Sequence, residues 1–440
     1  ESEITLDLNG HTLNISNSIK NNGTLTIKDG SENNSGNLVC GSKSSSIYAI
    51  NSTGKLTLDK VNISGWNLIY AGGPTEITGG TLTTSSTDTS YGINTNSTLN
   101  ITGTKFNMSS NSYGIYGNAD VEAENITMIG NYESNGYETN GIYMKNGKLT
   151  LKNAELTNSQ IQLDSNTTGE IVGGSVTTLH TTLYSKASKL TINGVKLKST
   201  SNSYYDRGVQ INSGEVNITD TSITSSSGYA TLYIESAGSV TLDNSSIEND
   251  NSTGINSVGK LNVNNSTITA KGNGIYGKES LVSDSIITST TGNGIELIGN
   301  STITGSTITG ANYGIYINNS NTTLNLGEND DNVTKDKPIV IGGKYGLYVQ
   351  SGIVNLYDGI FKGKTEGHSG TITNMPDGYT LTSDEEVINE EVYKTEYLKE
   401  NIKFLQVGEK TYNMIDKAIA EAKTTGNDII LISDATTTSD

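Results

Sequence analysis

The chain has 440 residues, a formal net charge of −18 and a single arginine, Arg207. This acidic balance argues against binding to the phosphate backbone of nucleic acids and against docking on anionic lipid. Because Cys40 is the only cysteine, the chain can form neither an internal disulfide nor a cysteine-based metal site.

Short apolar triplets recur along almost the whole sequence, which excludes a disordered polymer. The first 85 residues show this texture in GTLTIKDG (23–30), GKLTLDKVNISG (54–65) and TEITGGTLTT (75–84). Apolar and polar residues alternate in each stretch, as they do in a strand with one buried face. We therefore expect many short strands that each contribute a few buried side chains to one continuous core.

A glycine repeat defines the length of the repeating unit further along the chain. Gly254, Gly274, Gly294 and Gly314 lie 20 residues apart, and looser copies occur around Gly92 and Gly346. An aliphatic residue follows each glycine of the repeat and is expected to point inward: Ile93, Ile115, Ile142, Val209, Ile255, Ile275, Ile295, Ile315 and Leu347. Units of about 20 to 27 residues with two or three strands are typical of a parallel β-helix. We predict an all-β solenoid of about 15–17 coils over residues 1–370, with glycine and asparagine at its corners.

The sequence pattern changes near residue 371. Residues 371–408 predict a small β-rich linker or cap, with a hairpin turn around 388–391. Residues 409–426 have helical spacing and end at Gly426, a plausible C-cap. A buried strand is expected over residues 427–433. Such a cap would cover the open end of the β-helix, where strand edges otherwise invite aggregation.

The segment ITLDLNGHTLNI (4–15), followed by GTLTIKDG, resembles the opening coils of pectate-lyase-like right-handed β-helix modules. These modules occur in large Gram-positive, Firmicutes-type adhesin-like cell-surface proteins. TYNMIDKAIAEA (411–422) and DIILISD (428–434) are similar to the helix and strand that precede such a coil. The resemblance implies an excised part of a tandem protein, in which residues 409–440 begin a following β-helix module. It also implies an extracellular place on a bacterial cell surface, without membrane insertion of this fragment.

Tyrosines are the candidate ligand-binding residues. They occupy the position after the inward aliphatic residue in five copies of the repeat: Tyr116, Tyr143, Tyr276, Tyr316 and Tyr348. Alternation along a strand turns them outward, where sugar rings stack on aromatic faces. Other copies carry Asn94, Gln210, Asn256 and Glu296 at this position, and stacking of the tyrosines on one another is the structural alternative. Trp66, the only tryptophan, is expected to be buried or packed at an end.

Ionisable residues are sparse, and no cofactor is expected. The acidic loop GENDDNVTKD contains Glu328, Asp330, Asp331 and Asp336, which offer the hard oxygen ligands that Ca²⁺ prefers; a solvated loop is the alternative. Arg207 is expected to be a turn residue paired with Asp206 rather than a catalytic base. His11, His180 and His368 have no metal-ligand spacing.

This sparse set of ionisable groups predicts a module that is not an enzyme, because catalysis needs a converged set of perturbed groups. We expect an adhesin or rigid stalk that binds a glycan or a host surface protein, with tandem modules of the same chain as neighbours. The alternatives are a carbohydrate-active enzyme of the β-helix class, either a polysaccharide lyase or a glycoside hydrolase, and a phage tailspike or fibre.

Overall fold

The computed structural model describes residues 3–86, 88–131, 139–330 and 332–433. It forms a parallel β-helix of about 16 turns, followed by a small sheet and one short helix. The predicted all-β solenoid of 15–17 coils is therefore confirmed. Each coil contributes to three parallel sheets, here called face 1, face 2 and face 3 in chain order. At about 4.8 Å per coil, the stack is about 75 Å long.

The short strands of face 1 are Glu3–Asp7, Thr24–Lys28, Lys55–Asp59, Thr75–Thr78, Leu99–Thr102, Val121–Glu124, Lys189–Asn193 and Ser301–Thr304. Those of face 2 are Thr12–Ile15, Asn37–Cys40, Asn62–Gly65, Thr81–Thr84, Lys105–Met108, Thr127–Gly130, Lys196–Ser199, Ser222–Ser225, Ser246–Asn249, Thr267–Ala270, Ile286–Ser289, Thr307–Gly310, Ile339–Gly342 and Ile360–Gly363. Those of face 3 are Ile19–Asn21, Tyr48–Ser52, Asn67–Ala71, Ser90–Thr95, Ser112–Gly117, Leu183–Ser185, Ile295–Leu297 and Glu366–Ser369. Longer strands bend from face 3 into face 1, and the first two continue into face 2: Thr139–Thr157, Ser159–Thr178, Arg207–Thr219, Ala230–Asp243, Thr253–Asn264, Ile275–Ser283, Tyr313–Leu326 and Tyr345–Leu356.

The core is a stack of aliphatic side chains in register between coils. Ile255 pairs with Ile275, which pairs with Ile295, and Ile315 continues the same column. All nine residues predicted to point inward after the repeat glycines are fully buried. Burial of an aliphatic side chain of this size stabilises the fold by about 1.5–3 kcal/mol. This explains how a chain with so few apolar residues can maintain a single continuous core.

The corner between face 1 and face 2 is built by residues in the left-handed conformation. Asn244, Asn265 and Asp284 have φ values of 46°, 44° and 48°, and Gly305 in the next coil has 55°. Asparagine, aspartate and glycine enter this conformation at the lowest cost. The predicted role of glycine and asparagine at corners is therefore confirmed for this turn.

A buried serine ladder runs beside that corner. The backbone N–H of Ser245 donates to the Ser266 Oγ at 3.1 Å, and the N–H of Ser266 donates to the Ser285 Oγ at 3.0 Å. The N–H of Ser285 continues the ladder to Ser306 Oγ at 3.1 Å. Each hydroxyl satisfies a backbone donor that would otherwise be buried without a partner. The ladder therefore connects neighbouring coils at the corner between the strands of face 1 and those of face 2.

The Asp29 carboxylate stabilises the first coil, and we predict that its contribution to the stability of the fold is lost in acid. Its carboxylate accepts N–H groups from Gly10 at 2.8 Å, Gly36 at 2.5 Å and Ser31 at 3.2 Å. Burial acts to raise the pKa of Asp29, but these hydrogen bonds together outweigh it and lower the pKa from 3.8 to about 2. A lowered folded-state pKa gives stability above the unfolded value, and this stability disappears as the pH falls towards 2.

Asp29→Ala should therefore melt below the parent at pH 7, with a gap that narrows progressively from pH 5 to pH 2. Thermal unfolding followed by circular dichroism across this range measures the gap. Glu32→Ala, at an exposed carboxylate in the same turn, is the matched control and should leave the melting temperature unchanged. A difference in melting temperature that stays constant with pH would contradict the lowered pKa of Asp29.

A hairpin closes the C-terminal end of the β-helix. Its strands, Tyr379–Ile388 and Glu391–Glu400, turn at Asn389 and Glu390, as the sequence predicts. The second strand pairs antiparallel with Ile360–Gly363, the last strand of face 2. Leu398 is 6% exposed and packs in the β-helix core. The hairpin thus covers a strand edge and apolar residues of the last coil.

The remaining tail differs from its prediction in two respects. The helix spans only Ile415–Thr425, because Lys410–Tyr412 pairs instead with the strand Leu405–Val407; Gly426 is the left-handed C-cap expected. The strand predicted to be buried, Ile429–Leu431, is exposed, since it is an edge strand that pairs only with Leu405–Val407. Among the described residues, no helix has the length and apolar character needed to cross a bilayer.

Candidate functional site

The outward residues of face 3 form a continuous column, here called column A. Each member directly follows an inward aliphatic residue and is in register with the next coil. The members are Tyr70, Asn94, Tyr116, Tyr143, Gln162, Tyr184, Gln210, Tyr233, Asn256, Tyr276, Glu296, Tyr316 and Tyr348. Every tyrosine in the column is half-buried.

The structure places all five predicted tyrosines, Tyr116, Tyr143, Tyr276, Tyr316 and Tyr348, in column A. It adds three that sequence analysis missed: Tyr70, Tyr184 and Tyr233. These three follow an aliphatic residue, but that residue is preceded by leucine or threonine rather than glycine. A search for an aliphatic–tyrosine pair at coil spacing, without the glycine, would have found them.

A second outward column, column B, lies three residues earlier on the same face. Tyr91 is in register with Tyr113, and Tyr313 with Tyr345. Arg207 opens its strand at the same position of the coil. Columns A and B together make a ribbon of aromatic rings along face 3.

The rings cluster towards the two ends of face 3. In the N-terminal cluster, Tyr91 stacks on Tyr113 with ring centroids 5.3 Å apart, and Tyr116 meets Tyr143 edge-on at 5.2 Å. In the C-terminal cluster, Tyr316 stacks on Tyr348 at 5.4 Å. Contacts of this kind between aromatic rings stabilise a fold by about 0.5–1.5 kcal/mol each beyond their buried area. Structural stacking therefore accounts for part of the ribbon.

The middle of face 3 has a different pattern. From Gln162 to Tyr316, column A alternates between one amide or carboxylate residue and one tyrosine over eight successive coils. Tyr184 and Tyr276 contact no other aromatic ring among the described residues. Their partial exposure is therefore not explained by stacking of tyrosine on tyrosine.

Arg207 lies in this middle segment, and its predicted pairing with Asp206 is wrong. The guanidinium lies over two rings instead, with its Cζ atom 4.3 Å from the centroid of Tyr229 and 5.2 Å from that of Tyr233. Asp206 contacts His180 from the turn, with Oδ2 2.8 Å from Nδ1. The two neighbours diverge because Asp206 belongs to the turn, whereas Arg207 begins the strand and points outward.

The phenols of Tyr143, Tyr233, Tyr276 and Tyr316 have raised pKa values and stay protonated over the physiological range. Burial, followed by the Glu235 carboxylate, raises the pKa of Tyr233 to about 12 against the opposing effect of Arg207. Burial and a hydrogen bond to Asp164 raise the pKa of Tyr143, and burial raises the pKa of Tyr276 and Tyr316. These side chains therefore offer neutral rings and O–H donors rather than negative charge.

The described part of the acidic loop shows no grouping of side chains that could hold a metal ion. Glu328, Asp330 and Asp336 are exposed, and the loop is held by Asp358, which accepts the N–H of Glu328 at 2.8 Å. Within the described ranges, no three His, Cys, Asp or Glu side chains are grouped so that they could hold a metal ion. Asp331 lies outside the described residues, so the Ca²⁺ site of four carboxylates stays a prediction.

Among the described residues, hollows also lie outside face 3. One of about 420 Å³ lies on face 1 and is lined by polar residues that include Lys260, Asn262 and Asn325. Another of about 400 Å³ is lined by Lys43, Trp66 and other residues. Trp66 is half-buried rather than enclosed, and its indole N–H donates to the Thr89 carbonyl at 3.3 Å. The predicted burial of Trp66 is therefore only partial.

One comparison with known proteins agrees with the fold. The family model for the right-handed β-helix region matches residues 182–331. Among solved structures, the A-module of a mannuronan C-5 epimerase from Azotobacter vinelandii is similar, with 11% identity and a TM-score of 0.35 over 85% of this chain and 89% of that chain. No curated protein matches the sequence.

The prediction that this chain is not an enzyme is contradicted by these comparisons. The similar solved structure belongs to an enzyme, a mannuronan C-5 epimerase. The match transfers no residue role and no substrate to this chain. We therefore withdraw the non-enzymatic assignment and retain the right-handed β-helix.

Proposed function

We propose that face 3 binds an extended glycan chain along columns A and B. The observation that carries the proposal is the strict alternation of tyrosine with an amide or carboxylate residue from Gln162 to Tyr316. Aromatic rings provide platforms for the apolar face of a sugar. Amide and carboxylate oxygens, with the amide N–H₂ groups, provide hydrogen bonds for its hydroxyls.

The spacing suits an extended polymer. Successive tyrosines of the alternating segment lie two coils apart, about 9.6 Å, because coils are spaced by about 4.8 Å. This distance is close to that between alternate rings of an extended polysaccharide. One sugar would then stack on a tyrosine, and the next would lie beside an asparagine, glutamine or glutamate.

The unpacked rings favour a ligand over a purely structural ribbon. Tyr184 and Tyr276 are half-exposed although neither contacts another described ring. Exposed apolar surface that continues along one face, unlike a single exposed ring, marks a ligand-binding groove or an interaction site. We further propose that this face is displayed outside a bacterial cell, beside tandem modules of the same chain, where it meets surface or host glycans.

Affinity electrophoresis through gels that contain single polysaccharides tests the proposal. Retardation by an extended, β-linked polymer is expected, and none by the unsubstituted gel. If no polysaccharide in a broad panel retards the protein, the proposal falls. Retardation that persists when Tyr184 and Tyr276 are both replaced by alanine would place the glycan elsewhere.

A second candidate function is chemistry on the bound glycan. His180, Asp206 and Arg207 gather next to the rings of Tyr229 and Tyr233, and no other place on face 3 brings these residue types together. This statement covers the described ranges only. Mass spectrometry of each polysaccharide after incubation, with and without Ca²⁺, tests for it. New oligosaccharides or altered sugar units would support catalytic turnover. Unchanged polymers would support binding without turnover.

A further inference from the structure

We propose that Arg207 forms a subsite for an anionic group on the glycan, a carboxylate or a sulfate, next to the ring platforms of Tyr229 and Tyr233. The inference rests on the proposed glycan binding and adds the class of sugar that the face selects. It concerns the middle of face 3, where the alternating segment of column A passes the one arginine of the chain.

The Arg207 guanidinium has no anionic partner in the part of the chain that the structure describes. Among the described residues, no carboxylate oxygen lies within ion-pair distance of its guanidinium, although the chain carries 46 acidic residues. The nearest carboxylate in sequence, Asp206, is 14% exposed and is held by His180. A positive group left unpaired on so acidic a chain points to a partner that the chain does not supply.

The guanidinium is held in place by its neighbours. Its Cζ atom lies 4.3 and 5.2 Å from the centroids of the Tyr229 and Tyr233 rings, and one terminal nitrogen donates a hydrogen bond to the Tyr205 carbonyl. Its Nε atom is buried and has no hydrogen-bond acceptor among the described residues. Arginine has five N–H donors in a rigid fork, so a fixed guanidinium still offers donors to a planar oxyanion. Charge-assisted hydrogen bonds of this kind are roughly twice as strong as neutral ones.

A second cation lies one coil away. Lys186 Nζ is 5.5 Å from the centroid of Tyr184, and Tyr184 is in register with Gln210 of the strand that Arg207 opens. The middle of face 3 therefore joins two cations to the ring platforms. Elsewhere, the net charge of −18 repels an anionic polymer. An acidic glycan would thus bind at this segment and be kept from slipping along the rest of the face.

Three polymers with one backbone test the subsite: hydroxyethyl cellulose, carboxymethyl cellulose and cellulose sulfate. We expect the parent to bind one or both anionic polymers at least tenfold more tightly than the neutral one in affinity electrophoresis, with an advantage that shrinks as salt is added. Comparison of carboxymethyl cellulose with cellulose sulfate identifies which oxyanion the subsite prefers.

Three variants locate the effect. Arg207→Gln should lose the tenfold advantage and keep the neutral affinity, and Arg207→Lys should recover only part of it because lysine lacks the fork. Lys189→Gln, an equal charge change at an exposed position of face 1, should behave as the parent. Circular dichroism checks that each variant is folded.

The outcomes separate the two proposals. If the parent binds neutral and anionic polymers equally, the anionic subsite is wrong and glycan binding stands. If Arg207→Gln weakens neutral and anionic binding alike, Arg207 only packs the rings and the subsite is again wrong. If the parent binds none of these polymers or those of the broader panel, both proposals fall.

Discussion

Gly274→Ala is expected to melt far below the parent, with a loss of about 3 kcal/mol in the free energy of unfolding, at the upper end of the usual cost of overpacking. A Cβ atom at this position would lie 2.5 Å from the carbonyl oxygen of Gly294 and 2.5 Å from Cγ2 of Ile287. The carbonyl cannot move freely, because it accepts the N–H of Ile275 at 3.0 Å between coils. Ile287 is fully buried and has no room to give way.

Urea unfolding followed by circular dichroism measures this loss. Gly41→Ala is the matched control, since its Cβ would meet only the Ile15 carbonyl oxygen at 3.8 Å, an ordinary contact. This control should unfold with the parent. Equal stability of Gly274→Ala and Gly41→Ala would show that the coils can separate locally at little cost, contrary to the packing described.

The glycine repeat shows which features of the fold could be predicted from the sequence and which could not. Its 20-residue spacing predicted the strands and the inward column correctly, because period and alternation are properties of the chain itself. The reason for the glycines was not predictable. Gly254, Gly274, Gly294 and Gly314 are not left-handed; each one's Cβ would strike the carbonyl of the next glycine in the stack. Such a contact depends on the distance between coils, which no single strand encodes.

The candidate site was predictable to the same degree. The outward direction of Tyr116, Tyr143, Tyr276, Tyr316 and Tyr348 follows from alternation along a strand, and the structure agrees. The surroundings of Arg207 were not predictable, because they depend on where the turn before its strand directs each side chain. For the same reason, pairing across coils, such as that between His180 and Asp206, could not be read from neighbours in sequence.

Loss of the two unpacked rings is expected to have the largest effect on glycan binding. The Tyr184→Ala/Tyr276→Ala double variant removes two platforms that lie four coils apart, about 19 Å. If each platform contributes about 1.4 kcal/mol, near the upper end for aromatic contacts, affinity for an extended glycan falls about a hundredfold. Stability should change little, because neither ring packs against another described ring.

Two control variants separate binding from packing. Tyr393→Ala removes a half-exposed ring on the capping hairpin, outside columns A and B, and should leave affinity unchanged. Tyr91→Ala breaks the N-terminal cluster, where stacking on Tyr113 contributes to the fold, and should lower the melting temperature. If the double variant lost stability as Tyr91→Ala does and kept its affinity, the alternating tyrosines would be structural. A hundredfold loss of affinity in a stable double variant would instead identify the alternating segment as the glycan-binding surface.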